Sequence, residues 1–260
     1  MKFLTVKFFL CHFFSIYGFE NLVYNYFVQT DTLGEIKAVA FDIDGTLYRT
    51  WKLNIRIIFH FLRYNQFFLK YGLVRAKIRK IPLKDSFKNT QTQMMAERLH
   101  CSPAEAELLL TKIVYAGLSS YFYKIKPYKG AVDLIKDLKK AGYKIALLSD
   151  FPPEQKGDVW GVKDLCDVVL GTEETGALKP SAEPFKKMAE LLNVPESEIL
   201  YVGNSHKYDV VGAKNAGMKA AWLVQPEKGI LGIKSKIADI TFWKYSQLRN
   251  LLLGKQQNKK

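Results

Sequence analysis

The sequence predicts an α/β fold: a parallel sheet with helices on both faces and an all-helical insert near its start. Two observations carry that expectation. From Ile36 onward, short apolar runs alternate with stretches of helical periodicity, the pattern of parallel strands joined by crossover helices. Between Trp51 and Lys126 the alternation stops, no run reads as a convincing strand, and several helices succeed one another. With 260 residues, 48% of them hydrophobic, the chain can bury one full-sized core and a smaller one.

The first strand is the apolar run through Ile36, Val39 and Phe41. It ends in Asp42-Ile43-Asp44-Gly45-Thr46-Leu47, two carboxylates one residue apart and a glycine that lets the backbone turn. Because the chain leaves the strand here, both carboxylates can turn towards one pocket. Such a pair makes a hard-oxygen site suited to Mg²⁺, and the N–H groups of the turn can cradle a phosphate.

Lys144 to Ser149 reads as the second strand. An amphipathic helix from Ala131 to Ala141 precedes it, with Val132, Leu134, Ile135 and Leu138 on its apolar face and Gly142 as its stop. Asp167 to Leu170, Ile199 to Gly203, Ala220 to Val224 and Ala238 to Phe242 read as further strands. Between them lie helices from Ser181, as N-cap, to Leu192 and from Tyr208 to Ala216, closed by Gly217. Tyr245 to Leu253 reads as a last helix and Lys255 to Lys260 as a basic tail.

The insert has one clear helix start, Ser102-Pro103-Ala104-Glu105, which combines an N-cap serine, a proline at the first helical position and a capping-box glutamate. Its earlier part is basic: Lys52, Arg56, Arg63, Lys70, Arg75, Lys77, Arg79, Lys80, Lys84 and Lys88 face only Asp85, interleaved with Ile57, Ile58, Phe59, Phe61, Leu62, Phe67, Phe68 and Leu69. The expectation is an amphipathic helix packed within a helical subdomain, its charges solvated. A surface for anionic lipid or a polyanion is the alternative.

Both chain ends fall outside this pattern. Met1 to Phe19 is aromatic and starts positive, but its apolar core from Phe8 to Phe19 is too short to span a bilayer, and no small-x-small cleavage site follows. We read it as an extension contributing little to the fold, with export and surface anchoring as alternatives. The net charge of +14 favours anionic partners without selecting among them. Cys11, Cys101 and Cys166 form no C-x-x-C pair, which fits a reducing compartment.

Further chemistry-bearing residues sit at or near the ends of the predicted strands. Ser149, followed by Asp150, ends the second, and its hydroxyl can donate to a phosphate oxygen. Lys179-Pro180 places an ammonium before a helix. Gly203-Asn204-Ser205-His206-Lys207-Tyr208-Asp209 follows the fourth strand, with a glycine for close backbone approach and a third acid. Each is weak alone, since a lone D-x-D-G caps turns and a lone lysine is a surface residue. In this order, at successive strand ends, they resemble the four motifs of the haloacid dehalogenase-like hydrolase superfamily, its phosphatase branch with a helical cap. The resemblance covers about Ile36 to Phe242.

That resemblance implies a Rossmann-like core at residues 35–50 and 127–260, a helical cap at 51–126 and an N-terminal extension at 1–34. It implies a Mg²⁺-dependent phosphatase acting on a small phosphorylated metabolite, with Asp42 as nucleophile and Asp44 as general acid and base. Ile43, Ser149 and Lys179 would bind the phosphate. Asp42, the Asp44 carbonyl and Asp209 would bind the metal, and Asn204 would orient a metal-bound water. True dehalogenases lack the second aspartate, because a halide needs no proton, so Asp44 favours phosphate chemistry. Asn204 departs from the aspartate common in the family and removes one charge beside the metal. The alternatives are a phosphoryl mutase and a catalytically weakened binding module for an anionic partner. His206 is read as a solvent-facing loop residue and Asp150 as a turn residue at the pocket rim. A cytoplasmic location follows from this reading, with no specific nucleic acid partner and with peripheral membrane contact not favoured.

Overall fold

The structure, a computed structural model, describes residues 33–254 except 82, 84, 85, 123 and 124. The N-terminal extension up to residue 32, Cys11 and the tail at 255–260 therefore lie outside the described residues.

Six parallel strands form one sheet in the order β3-β2-β1-β4-β5-β6. They are β1 (Ala38–Phe41), β2 (Lys144–Ser149), β3 (Val168–Gly171), β4 (Ile199–Gly203), β5 (Lys219–Leu223) and β6 (Ile240–Phe242). β1 is central, with Phe41 in register with Leu147 of β2 and Val202 of β4. The chain moves outward from β1 in one direction and then returns to build the other half. This creates a switch point at the carboxyl end of β1, where such sheets bind ligands.

Side-chain alternation explains why the strands read as continuous apolar runs. Val39, Phe41, Ile145, Leu147, Leu200 and Val202 pack on one face, against α6 (Ala131–Lys140) and α10 (Tyr245–Gly254). Ala38, Ala40, Ala146, Leu148, Ile199 and Tyr201 pack on the other, against Phe185, Met188 and Leu192 of α7 (Glu183–Leu192). Both faces are covered, as parallel sheets require.

Between β1 and α6 the chain runs through α1 (Thr50–Arg63), α2 (Asn65–Ile78), α3 (Phe87–Leu99), α4 (Pro103–Leu110), a π turn (Thr111–Tyr115) and α5 (Ala116–Phe122). This insert has its own core of Phe67, Tyr71, Val74, Met95, Leu110 and Val114. α4 starts with the expected capping box, in which Ser102 N donates to Glu105 at 2.9 Å and Glu105 N donates to Ser102 Oγ at 3.3 Å. The insert leaves and rejoins the core at one place. Tyr48 and Pro127 form an antiparallel bridge, and Tyr128 N donates to Leu47 O at 2.8 Å.

Some boundaries differ from expectation. α7 starts two residues later than its expected cap; Ser181 Oγ still accepts from Glu183 N, at 3.4 Å, while Ala182 occupies the N-cap position. The helix after β4 begins as a π turn (His206–Val210), which Ser205 caps through Tyr208 N at 3.2 Å, and continues as α8 (Val211–Asn215). After β5 comes the short α9 (Pro226–Ile230).

Arg75 and Arg79 depart most from the solvated basic face. Arg75 is buried on the packed stripe of α2 with Phe67, Tyr71, Val74 and Ile78, where it pairs with Glu173 and donates to Asp150 O at 2.7 Å. Arg79 pairs with Asp150 and donates to Lys179 O at 3.0 Å. Both reach across to the core because a buried guanidinium needs several acceptors, and the ends of β2 and β3 supply them. Conversely Phe59 and Leu62, expected to pack, are exposed.

Candidate active site

Asp42 follows β1 directly, its N–H bonded to Val202 O at 2.9 Å, so its side chain emerges at the switch point. The next residues form a helical turn, with Leu47 N donating to Ile43 O at 3.0 Å. In such a turn the i and i+4 residues stack. Thr46 Oγ1 accordingly donates to Asp42 Oδ2 at 2.8 Å, and the Tyr48 hydroxyl donates to Asp44. Two glycines allow this crowding. A Cβ on Gly45 (φ 85°) would lie 2.4 Å from Asn204 Nδ2, and one on Gly203 would lie 2.3 Å from Asp209 Cβ.

Two clusters meet at this strand end. In the first, Lys179 Nζ lies 2.7 Å from Asp42 Oδ1 and 2.8 Å from Asp209 Oδ1, with all three side chains buried. The same ammonium lies 3.2 Å from the Tyr201 hydroxyl. Asp209 Oδ2 accepts from Ser205 N at 2.8 Å. Asn204 joins through Thr46, whose hydroxyl lies 3.2 Å from Asn204 Oδ1 and accepts from Asn204 N at 3.0 Å.

In the second cluster, both oxygens of Asp44 accept from Lys156 Nζ, at 2.7 and 2.6 Å, and Ser149 Oγ lies 3.4 Å from Asp44 Oδ2. Lys156 ends a 3₁₀ turn (Pro153–Lys156) after β2 and is itself buried. Its ammonium sits 4.5 Å from the centre of the Phe122 ring.

The electrostatics follow from burial. Loss of water pushes the Asp42 carboxyl up to about 7; Asp209 and Asp44 push the same way, and Lys179 opposes them. Burial also works against the Lys179 charge, but Asp209 and Asp42 outweigh it and hold the ammonium well above its ordinary value. Two carboxylates around one ammonium leave an excess of one negative charge in a dry site when all three are ionised. The oxygens of Asp42 and Asp209, with the Asn204 amide oxygen linked to Asp42 through Thr46, are the hard-oxygen donors gathered here. Among the described residues no group of three or more His, Cys, Asp or Glu could hold a metal. A cation that keeps several of its waters and takes one or two carboxylates still fits this donor set.

Beside Asp44 opens a cavity of about 640 Å³ lined by Tyr48, Ser119, Phe122, Lys156 and Trp160. Part of its wall is strained: Val159 (φ 52°) and Trp160 (φ 59°) hold left-handed backbone, which costs a β-branched residue on the order of 1–3 kcal/mol. Trp160 Nε1 is anchored to Ile125 O at 2.6 Å.

The structure thus brings Asp42, Asp44, Ser149, Lys179, Asn204 and Asp209 to one strand end. Two expectations change. Asp150 is no simple rim residue, since it accepts from Thr172 at 3.1 Å and from Lys179 N at 3.3 Å besides pairing with Arg79. His206 is not simply solvent-facing: it hydrogen-bonds Ser235 Oγ at 2.8 Å and packs edge-on against Trp222. Sequence reasoning missed Lys156, Thr46 and Tyr48. The i, i+4 spacing from Asp42 and Asp44 was a usable signal for the last two.

A sequence model of the haloacid dehalogenase-like hydrolase family matches residues 39–223, and the chain belongs to that family. It is a hydrolase of the phosphatase type, as its relatives indicate. The chain is 32% identical over 193 residues to pyrophosphatase PpaX of Halalkalibacterium halodurans, covering 72% of this chain and 83% of that protein. It is 28% identical over 230 residues to pyrophosphatase PpaX of Bacillus mycoides, covering 84% and 97%. Among solved structures, an HAD phosphatase from Thermococcus onnurineus aligns with a TM-score of 0.56 at 25% identity, over 84% of this chain and 99% of that one. A 2-haloacid dehalogenase from Pseudomonas syringae aligns with a TM-score of 0.60 at 18% identity, over 85% and 99%, a likeness of fold alone.

Proposed function

We propose that the protein is a Mg²⁺-dependent phosphatase that hydrolyses a small phosphomonoester through an aspartyl-phosphate on Asp42. The observation that carries this reading is the pairing of Asp42, buried against Lys179 and Asp209, with Asp44 beside the open cavity. In the first step an Asp42 carboxylate oxygen forms a bond to phosphorus, and the bond from phosphorus to the ester oxygen breaks. Asp44 gives that oxygen its proton. In the second step Asp44 takes a proton from water, the hydroxide oxygen bonds to phosphorus, and the Asp42–phosphorus bond breaks to release phosphate. Lys179, Ser149 and the N–H groups of Ile43 and Asp44 would hold the phosphate oxygens. Asp42, Asp209 and the Asp44 carbonyl would hold Mg²⁺, with Asn204 orienting a bound water; the ion would supply charge neutralisation.

In this reading the helical insert is the cap and the cavity takes the leaving group. Lys156 is the one cation among the described lining residues, which also include Glu154 and Asp158, and it is engaged by Asp44. With Phe122 and Trp160, that lining suits an uncharged organic group better than a second phosphate. The reading therefore favours phosphomonoesters over the pyrophosphate named for the relatives. Cys101 and Cys166 are both free, which fits a cytoplasmic location.

The test is Asp42→Asn. The purified, folded variant is expected to lose turnover of an aryl phosphate and to incorporate no radiolabelled phosphate. Retained turnover would sink the covalent route. Comparing kcat/KM for phosphomonoesters and pyrophosphate decides the leaving-group assignment separately.

A further inference from the structure

Helix α1 is apolar on two sides. Leu53 and Ile57 are buried, and His60 bonds Ile113 O at 2.8 Å, so one face packs inward. On the other face Trp51, Ile55, Ile58, Phe59 and Leu62 stand at i, i+4, i+7, i+8 and i+11, between 49% and 80% exposed. Leu69 and Leu73 of α2 are also exposed, at 64% and 55%. Lys52, Arg56 and Arg63 lie along one edge between the two faces of α1, Asn54 and Phe61 along the other, and neither α1 nor α2 contains an acidic residue. Scattered apolar residues on a surface need no explanation, but a continuous stripe edged by cations does.

A second observation adjoins it. A cleft of about 1190 Å³ is lined by Trp51 and Lys52 at the start of α1, and by Arg49, Lys126, Lys129 and Lys244, with Asp133 the one carboxylate among the described lining residues. Arg249 at its edge is tied to Asp137 at 2.8 Å. Ile230, 77% exposed, forms part of the opposite wall, and Leu231 beside it is 76% exposed. An apolar stripe and a cationic cleft thus share Trp51 and Lys52.

We infer that this surface docks on a bilayer of anionic lipids. The α1 stripe enters the boundary between headgroups and acyl chains, and the cleft cations meet lipid phosphates. Interfacial helices combine these two features, an apolar face and a lysine- and arginine-rich border. A second copy of the chain fits less well: a two-fold contact sets this surface against itself, cation facing cation. The inference is independent of the catalytic reading, because none of these residues touches Asp42 or Asp44.

The test is sedimentation of the full chain with phosphatidylcholine vesicles, with and without about 30% phosphatidylglycerol. We expect binding to the anionic vesicles only, and loss of that binding at about 0.5 M salt, where exposed charges are screened. Ile55→Gln/Phe59→Gln and Lys126→Gln/Lys129→Gln change exposed side chains, so thermal unfolding should match wild type. Each should weaken partitioning by roughly tenfold or more. Wild type that stays in the supernatant at low salt overturns the inference. So does an Ile55→Gln/Phe59→Gln variant that binds like wild type, an outcome that moves the contact elsewhere in the chain. Light scattering without vesicles covers self-association: a dimer that the same variant dissociates assigns the stripe to a second copy instead.

Discussion

Lys156 grips both oxygens of Asp44 from a turn 112 residues away. If Asp44 is the general acid and base proposed above, its carboxyl must be aimed at the leaving oxygen, and Lys156 on both oxygens with the Tyr48 hydroxyl on Oδ1 holds that aim. Lys156→Met should therefore lower kcat for an alkyl phosphate by roughly tenfold to a hundredfold. A nitrophenyl phosphate should suffer much less, because its leaving group needs no proton. Equal losses on both substrates would show that Lys156 only supports the fold. Asn204 permits a second experiment. It stands beside Thr46 and Gly45 with an uncharged oxygen where a carboxylate would add one negative charge. Asn204→Asp should lower the Mg²⁺ concentration for half-maximal activity, and an unchanged or raised requirement would remove the amide as a weakened ligand. Asp42, Asp44, Ser149, Lys179 and Asp209 were legible because their chemistry recurs at strand ends. Lys156 was not, because no spacing relates it to Asp44.

At the scale of elements, α2 is fastened to the core by its own buried stripe. Arg75 and Arg79 stand four residues apart and meet Glu173 and Asp150, so helix, β2 end and β3 end share one charged network. Burial alone would raise the Asp150 carboxyl, but Lys179, Arg75 and Arg79 outweigh it and hold the group below its ordinary value. A carboxylate with a depressed folded-state pKa stabilises fully above its unfolded value, near 3.9, and loses that contribution as pH falls through the folded value. Asp150→Asn should thus destabilise at pH 7 by roughly 1–3 kcal/mol, the loss of charge-assisted hydrogen bonds in a partly buried network. Chemical denaturation should show the gap to wild type closing below about pH 4. A gap that stays constant with pH would mean that the charge of Asp150 is not what matters. β2 and β4 match their sequence reading residue for residue, since strands buried on both faces appear as unbroken apolar runs. The edge strands shift because hydrogen bonds to side chains set their ends: Asp167 supplies an acceptor to Ile145 N, and Ser235 to Ala238 N. Arg75 was misread although its position on the stripe of Phe67, Tyr71, Val74 and Ile78 marked it as inward-facing.

For the whole molecule, the succession of strands and the place of the helical insert between the first two were legible together, because both follow from where the alternation starts, stops and resumes. The outward side of the insert was not. Periodicity identifies an apolar stripe but not which of two stripes packs, and α1 carries both. The junction at Tyr48 and Pro127 has a further consequence. Because the core itself holds the two ends of the insert side by side, the entropy of closing that loop grows only with the logarithm of its length. Added length in the insert away from α2, which is tied to the ends of β2 and β3, therefore costs the sheet little in closure entropy. In evolutionary terms the junction works as a socket: the insert can vary in length while the aspartates beside the junction keep their places.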